Sequence, residues 1–239
     1  MDKEERKYKQ LRKLGQELHI PVPETFWEFE VTLDGKVIQR HKQRSHSWVR
    51  NAYNLLISQM SSKNASDASP NWGGGYINIK DTDGYITSSA YCGISITRVD
   101  NVDCETAGSA YQAGAGEATF GIQVGSGINA ESFEDYALQT LIANGTGAGQ
   151  LSYVAMEIPT KSYNAGTKVL TITRIRYLNN NTDPAGDVSV NEVALTTNGK
   201  VSTIAINWLN ARDKLSATVT IPATGQLKCS YILSLTFPA

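Results

Sequence analysis

The chain has 239 residues, 41% of them hydrophobic and 19% charged, which is an ordinary composition with enough length to bury a sizeable core. No apolar run approaches the roughly 18–20 residues of a membrane helix, and the charged start MDKEERKYKQ lacks the apolar stretch of a secretory signal. Net charge is −1 but uneven: residues 1–50 hold 11 Lys/Arg against 8 Asp/Glu, and residues 51–239 hold 11 against 15. A basic arm on an acidic body has no dense Lys/Arg stripe for nucleic acid, and it suits subunits that meet charge to charge.

Residues 2–19 carry a helical pattern. Tyr8, Leu11, Leu14 and Leu18 recur at steps of 3, 3 and 4, and Asp2–Arg6 and Glu5–Lys9 are acid-first i,i+4 pairs. Gly15 weakens the helix and Pro21-Val-Pro23 stops it. One apolar residue per turn makes a poor core face but a usable docking seam, so these four residues are the expected subunit contact. A helix packed on its own domain is the plain alternative.

Trp27, Phe29, Val31 and Leu33 alternate with polar residues as in a half-buried strand, and Asp34-Gly35 supplies a type I′ turn. If Leu33 pairs with Lys36, then Val31 faces Ile38 and Phe29 faces Arg40. Ser47 can cap a helix to about Met60 with Val49, Ala52, Tyr53, Leu56 and Met60 on a core-grade side. The expected division is a helical arm and Pro linker over 1–25 and a β-sandwich body over 26–239, with a hairpin at 26–41 and a helix at 47–60.

Residues 61–75 read as loop. Beyond them, short β-branched runs fall at 76–80, 85–88, 92–98, 119–124, 151–158, 168–177, 188–196, 201–207, 215–221 and 227–237, with turn dipeptides at Asp83-Gly84 and Asn198-Gly199. This spacing predicts a mainly β fold, an antiparallel sandwich or jelly-roll-like body. In the last run Leu227, Cys229, Tyr231, Leu233, Leu235 and Phe237 share one face, which predicts a central strand with two neighbours and a buried, reduced Cys229. Three cysteines without a CxxC pair (Cys92, Cys104, Cys229) point to structural thiols and a reducing site of synthesis.

The motifs of chemistry are weak. Gly125-Ser126-Gly127-Ile128-Asn129-Ala130 matches a dinucleotide loop, but Glu131, Glu134 and Asp135 follow it, the wrong sign beside a pyrophosphate; a tight β turn fits better. His41 and His46, even with Asp34 or His19, lack zinc spacing, and Ser45-His46 are chain neighbours that cannot face each other. Acidic groups at Asp100, Asp103 and Glu105 and at 131–135 could suit Ca²⁺ or a glycosidase, without a D-x-D-x-D-G loop to support them. Arg174 and Arg176 on one apolar strand and Glu192 on another suggest cross-strand Arg–Glu pairing. No metal, cofactor or catalytic residue is therefore assigned.

Three segments carry a resemblance: 120–142, FGIQVGSGINAESFEDYALQTLI; 171–195, TITRIRYLNNNTDPAGDVSVNEVAL; and 211–237, ARDKLSATVTIPATGQLKCSYILSLTF. With SWVRNAYNLL at 47–56 they run in an order similar to β-rich virion structural proteins of tailed bacteriophages, over about residues 45–239. The resemblance implies an assembly subunit rather than an enzyme, placed first in the tail, neck or baseplate and second as a capsid-decorating or head-fibre subunit. It implies copies of itself and other virion proteins as partners, no nucleic acid and no membrane, and a virion location after synthesis in the host cytoplasm. A carbohydrate-binding sandwich is a different class, with Trp72, Tyr76, Tyr85 and Tyr91 as an aromatic platform for a glycan.

Overall fold

A computed structural model describes residues 3–61, 78–87, 110–183, 185–201 and 204–237. Its elements are α1 (Lys3–Glu17), β1 (Val22–Leu33), β2 (Lys36–Arg44), α2 (Arg50–Ser61), β3 (Ile79–Lys80), β4 (Ile86–Thr87), β5 (Gly121–Gly125), β6 (Ser152–Tyr153), β7 (Thr160–Asn164), β8 (Val169–Asn179), β9 (Val188–Val201), β10 (Ile204–Ile221) and β11 (Gln226–Thr236). The fold is mainly β, with a sandwich-like body of two antiparallel sheets. One sheet has the order β2-β1-β11-β8-β6 with β7 also on β8; the other is β10-β9-β5. A small hairpin pairs β3 with β4 around Asp83-Gly84.

The core lies between the two sheets because each offers one apolar face. Trp27, Phe29, Val31, Leu178, Leu227, Cys229 and Tyr231 from the first meet Ile122, Val124, Val190, Val193, Val219 and Ile221 from the second. Strand β11 sits between β1 and β8, as its long apolar face requires, and Cys229 is free and wholly buried.

The hairpin forms at Asp34-Gly35, with φ of 50° and 74° and Leu33 opposite Lys36. Beyond the first two pairs the expected register is wrong. A bulge places Thr32 opposite Val37 and Val31 opposite Gln39, so Ile38 is skipped and 52% exposed, and Phe29 faces His41 rather than Arg40. One extra residue flips the alternation of the rest of the strand. Arg40, Lys42 and Arg44 then stand beside Glu30, Glu28 and Glu24 on the outer face, while Gln39 and Gln43 turn inward.

That inward turn closes the sandwich. Gln39 Nε2 donates to the Thr218 carbonyl at 3.0 Å and its Oε1 accepts from the Thr220 amide at 3.1 Å; Gln43 does the same with Lys214 and Ser216, at 3.0 and 2.9 Å. The side-chain amides replace a neighbouring strand along the free edge of β10. Further along that edge Ser47 and Val49 pair by backbone with Arg212 and Asn210.

Segment 47–49 is therefore extended. Helix α2 begins at Arg50 rather than at a Ser47 cap, and its expected core face is overturned: Val49 is buried, but Tyr53 and Leu56 are 46% and 48% exposed, and the Met60 side chain lies outside the described residues. Asn51 and Asn54 face the body instead, bonded to the backbone of Lys80 and Asn78. Of two candidate strands, 201–207 and 215–221, residues 204–207 and all of the second belong to the single strand β10, while Val201 ends β9 and 202–203 lie outside the described residues. Asn198-Gly199 is not a turn but lies within the β9–β10 ladder, where a Cβ on Gly199 would stand 2.3 Å from the Trp208 ring.

Candidate subunit-contact surface

Helix α1 ends before the prolines are reached. The Ile20 amide donates to the Gly15 carbonyl at 2.8 Å and the His19 amide to Gln16 at 3.3 Å, with His19 at φ 56°. This is a Schellman stop with histidine where glycine is usual. It folds the helix back on the outer face of β1 and β2, where Gly15 lies so close to Val22 that a Cβ would come within 2.3 Å of its methyl.

The helix is held there by charge. Arg12 Nη1 donates to both oxygens of Glu24 at 2.7 and 2.9 Å, and its Nη2 donates to Glu5 at 2.8 Å. Arg44 Nη1 donates to Glu24 at 2.6 Å and its Nη2 to Glu5. The Arg44 guanidinium also lies 3.8 Å from the Tyr8 ring centre and 4.5 Å from that of Phe26. His46 Nε2 stands 3.1 Å from Glu4. Glu24 and Arg44 keep only 5% and 9% of their side-chain exposure, so this is a semi-buried square of two acids and two bases. Arg12 and then Arg44 hold the Glu5 carboxyl below its ordinary range. The acid-first Glu5–Lys9 pair predicted along the helix gives way to this square; Asp2 lies outside the described residues.

The four seam residues divide. Tyr8 is half-buried beneath Arg44 on its own body, whereas Leu11, Leu14 and Leu18 are 47%, 51% and 63% exposed, continued by Ile20 at 55%. Turning at about 3.6 residues per turn, the helix puts Glu5, Tyr8, Arg12 and Gly15 on one side and the leucines on another. What the chain alone did not disclose was the charged side, since its partners Glu24 and Arg44 are distant in sequence.

The other candidate sites resolve into framework. Gly125 and Gly127 bracket a carboxylate, but the carboxylate is the protein's own. Glu192, wholly buried, accepts from the amides of Gly127 (3.2 Å), Gln139 (3.0 Å) and Thr140 (2.7 Å) and from Arg212 Nε (2.8 Å). A Cβ at either glycine would stand 2.5 Å from Glu192 Oε1. The loop is thus an anion nest filled from within. Arg212 continues to Asp135 at 2.7 Å and to the Asn129 and Ala130 carbonyls. All three segments of the resemblance contribute to this one cluster.

The expected Arg–Glu pairing is corrected in its partner: Glu192 takes Arg212, not Arg174 or Arg176. Arg174 lies over the Tyr111 ring at 4.6 Å. Arg176 is fully buried and donates to the carbonyls of Val154, Phe120, Ile122, Gly114 and Glu117; burial draws its pKa down to about 10. Ser45 and His46 diverge, with Ser45 Oγ donating to Asp213 at 2.6 Å and the His46 ring reaching Glu4. Asp213 also accepts from Trp27 Nε1 and the His46 amide, and burial raises its pKa against those bonds.

His41 bonds Gln43, Glu134 pairs with Arg50, and Glu131 accepts from the Lys214 amide. Among the described residues no three His, Cys, Asp or Glu side chains are placed to hold a metal ion. Tyr85 is 74% exposed, while Trp72, Tyr76, Tyr91, Cys92, Cys104, Asp100, Asp103, Glu105 and the candidate strand 92–98 lie outside the described residues. No protein-family model, curated protein or solved structure matches the chain.

Proposed function

We propose that the protein is a structural subunit of a tailed-bacteriophage virion, placed in the tail, neck or baseplate, whose work is assembly rather than catalysis. The observation that carries this reading is the arm: α1 is fastened by charge on one side and leaves Leu11, Leu14, Leu18 and Ile20 exposed on another. Exposed leucines in register along a helix suit contact with a partner, since fastening the arm does not use them. The framework supports the same reading. The segments that resemble virion proteins converge on the Glu192–Arg212 cluster, which ties a long loop to the sheet and makes the body rigid.

Two measurements test it. Size-exclusion chromatography with light scattering should give a mass of several 26.0 kDa chains that falls when residues 1–20 are deleted. Mass spectrometry of the purified phage should find the chain in the particle, and antibody labelling should place it on the tail rather than the head. A chain absent from the particle, or a monomer at every concentration, overturns the proposal. Labelling on the head assigns the decorating or head-fibre role instead.

A further inference from the structure

Helix α2 is turned outside in. Its polar residues Asn51 and Asn54 bond to the body, at the backbone of Lys80 and Asn78. Tyr53, Leu56 and Ile57, at the i, i+3, i+4 spacing of one helix face, stand 46%, 48% and 50% exposed. A helix that packs on its own domain does the reverse. The loop beside it adds Phe133, also exposed, whose ring centre lies 5.7 Å from that of Tyr53. Tyr53 in turn lies 6.2 Å from Trp48, and the Arg50 guanidinium lies 4.7 Å from the Phe133 ring centre. Aromatic rings and an arginine around exposed aliphatics are the composition of an interface centre rather than of ordinary surface. The chain thus owns two exposed apolar helix faces, this one and the leucines of α1.

We propose that the two faces take each other between copies: Leu11, Leu14 and Leu18 of one chain pack on Tyr53, Leu56 and Ile57 of a second. Charge identifies the occupant. Helix α1 carries six Lys/Arg against three Glu, and Lys3 and Lys7 continue the leucine row at four-residue steps before Leu11. The rim of the α2 face is segment 131–135, which holds Glu131, Glu134 and Asp135 and no base, with Glu131 and Glu134 exposed. Like faces in contact, α1 on α1 or α2 on α2, bring charges of one sign together. Unlike faces bring the basic row against the acidic rim. Unlike pairing also covers both apolar rows in one contact and leaves α1 fastened to its own Glu24 and Arg44, which lie on another side of the helix. Such contacts close as a ring, or as a pair when two of them form across a two-fold axis. This inference rests on the assembly reading and names what the leucines of the arm touch.

Full chains with one face spoiled test it. Leu11→Glu/Leu14→Glu spoils the arm and leaves α2 intact; Leu56→Glu/Ile57→Glu spoils α2 and leaves the arm intact. All of these positions are exposed, so both variants should keep the wild-type unfolding transition. By light scattering the wild type should run as several chains and each variant alone as one chain, because each lacks one half of every contact. The equal mixture should give pairs of one each, at twice the single-chain mass and no larger, through the intact α2 of the first and the intact arm of the second. Either variant assembling by itself shows like faces or another surface in contact and overturns the pairing, and so does a mixture that stays at one chain. In those cases a wild type of several chains keeps the assembly reading, and a wild type of one chain overturns both. Should a double variant fail to fold, Leu14→Gln and Ile57→Gln weaken the same faces without added charge. Each should raise the concentration at which the assembly dissociates about tenfold, and no shift from Ile57→Gln overturns the pairing.

Discussion

Arg212 donates from Nε to Glu192 at 2.8 Å, with 3% and 0% of the two side chains exposed. An ion pair this deep is costly to desolvate, and it survives because Glu192 also accepts three backbone amides and Arg212 also reaches Asp135 and two carbonyls. The pair acts as the rivet of the 126–140 loop.

Breaking it should be severe and non-additive. Glu192→Leu and Arg212→Met should each cost about 3–5 kcal/mol in urea unfolding, since the first orphans three backbone amides and halves the pairing of Arg212, which keeps Asp135, and the second leaves the buried Glu192 without its cation. The double variant should lose less than the sum yet remain well below wild type, because the amides of Gly127, Gln139 and Thr140 are still orphaned at about 1–3 kcal/mol each. A double variant as stable as wild type would show that those amides do not need the carboxylate.

The glutamines of β2 guard an edge. Gln39→Ala with Gln43→Ala removes four hydrogen bonds to β10, so together they should cost about 2–4 kcal/mol and make the protein scatter light on standing. Gly35→Val should cost more than about 1 kcal/mol in the same unfolding assay, because φ of 74° is strained for a β-branched residue. Unchanged solubility in the glutamine variant would mean the edge is protected by other groups.

Along β11 the cost of truncation should follow depth. Leu227 is wholly buried and Leu233 only partly, so Leu227→Ala should cost about 2–5 kcal/mol, Leu233→Ala less, and Ser234→Ala almost nothing. Burial pushes the Cys229 thiol far up, with Arg176 opposing only weakly, so the thiolate is scarce and access is closed. A native-state thiol reagent should label Cys229 only at the rate of unfolding; rapid labelling contradicts the strand's placement.

The arm should loosen in acid and in salt. The Glu5 carboxyl is depressed by Arg12 and then Arg44, so its contribution is complete above the unfolded value of 4.5 and is lost as pH falls through the lower folded value. Hydrogen exchange at α1 amides should accelerate below pH 4.5 and again in about 1 M salt, which shortens screening to about 3 Å. The core amides of β11 should not respond until the whole protein unfolds. Arm protection that persists under both conditions would show that apolar contact, not charge, fastens α1.

Local pattern determined much of this protein. The period of 3.6 wrote α1, alternation wrote β1 and β11, and Asp34-Gly35 wrote the turn, because in each case the signal sits within one element and needs no partner. The mainly β class followed from the same short runs. Tertiary structure alone decided which charges meet. Glu192 chose Arg212 over Arg176, twenty residues away rather than sixteen, because the β9–β10 ladder sets it beside one and the carbonyls of the 114–122 loop already surround the other. The bulge at Ile38 was equally hidden: it is a single residue whose effect is to invert a strand, and its reward is the pairing of Gln39 and Gln43 with a strand nearly 180 residues on. The side of α1 that faces the body was decided the same way, by Glu24 and Arg44, which the hairpin brings together only after it has folded.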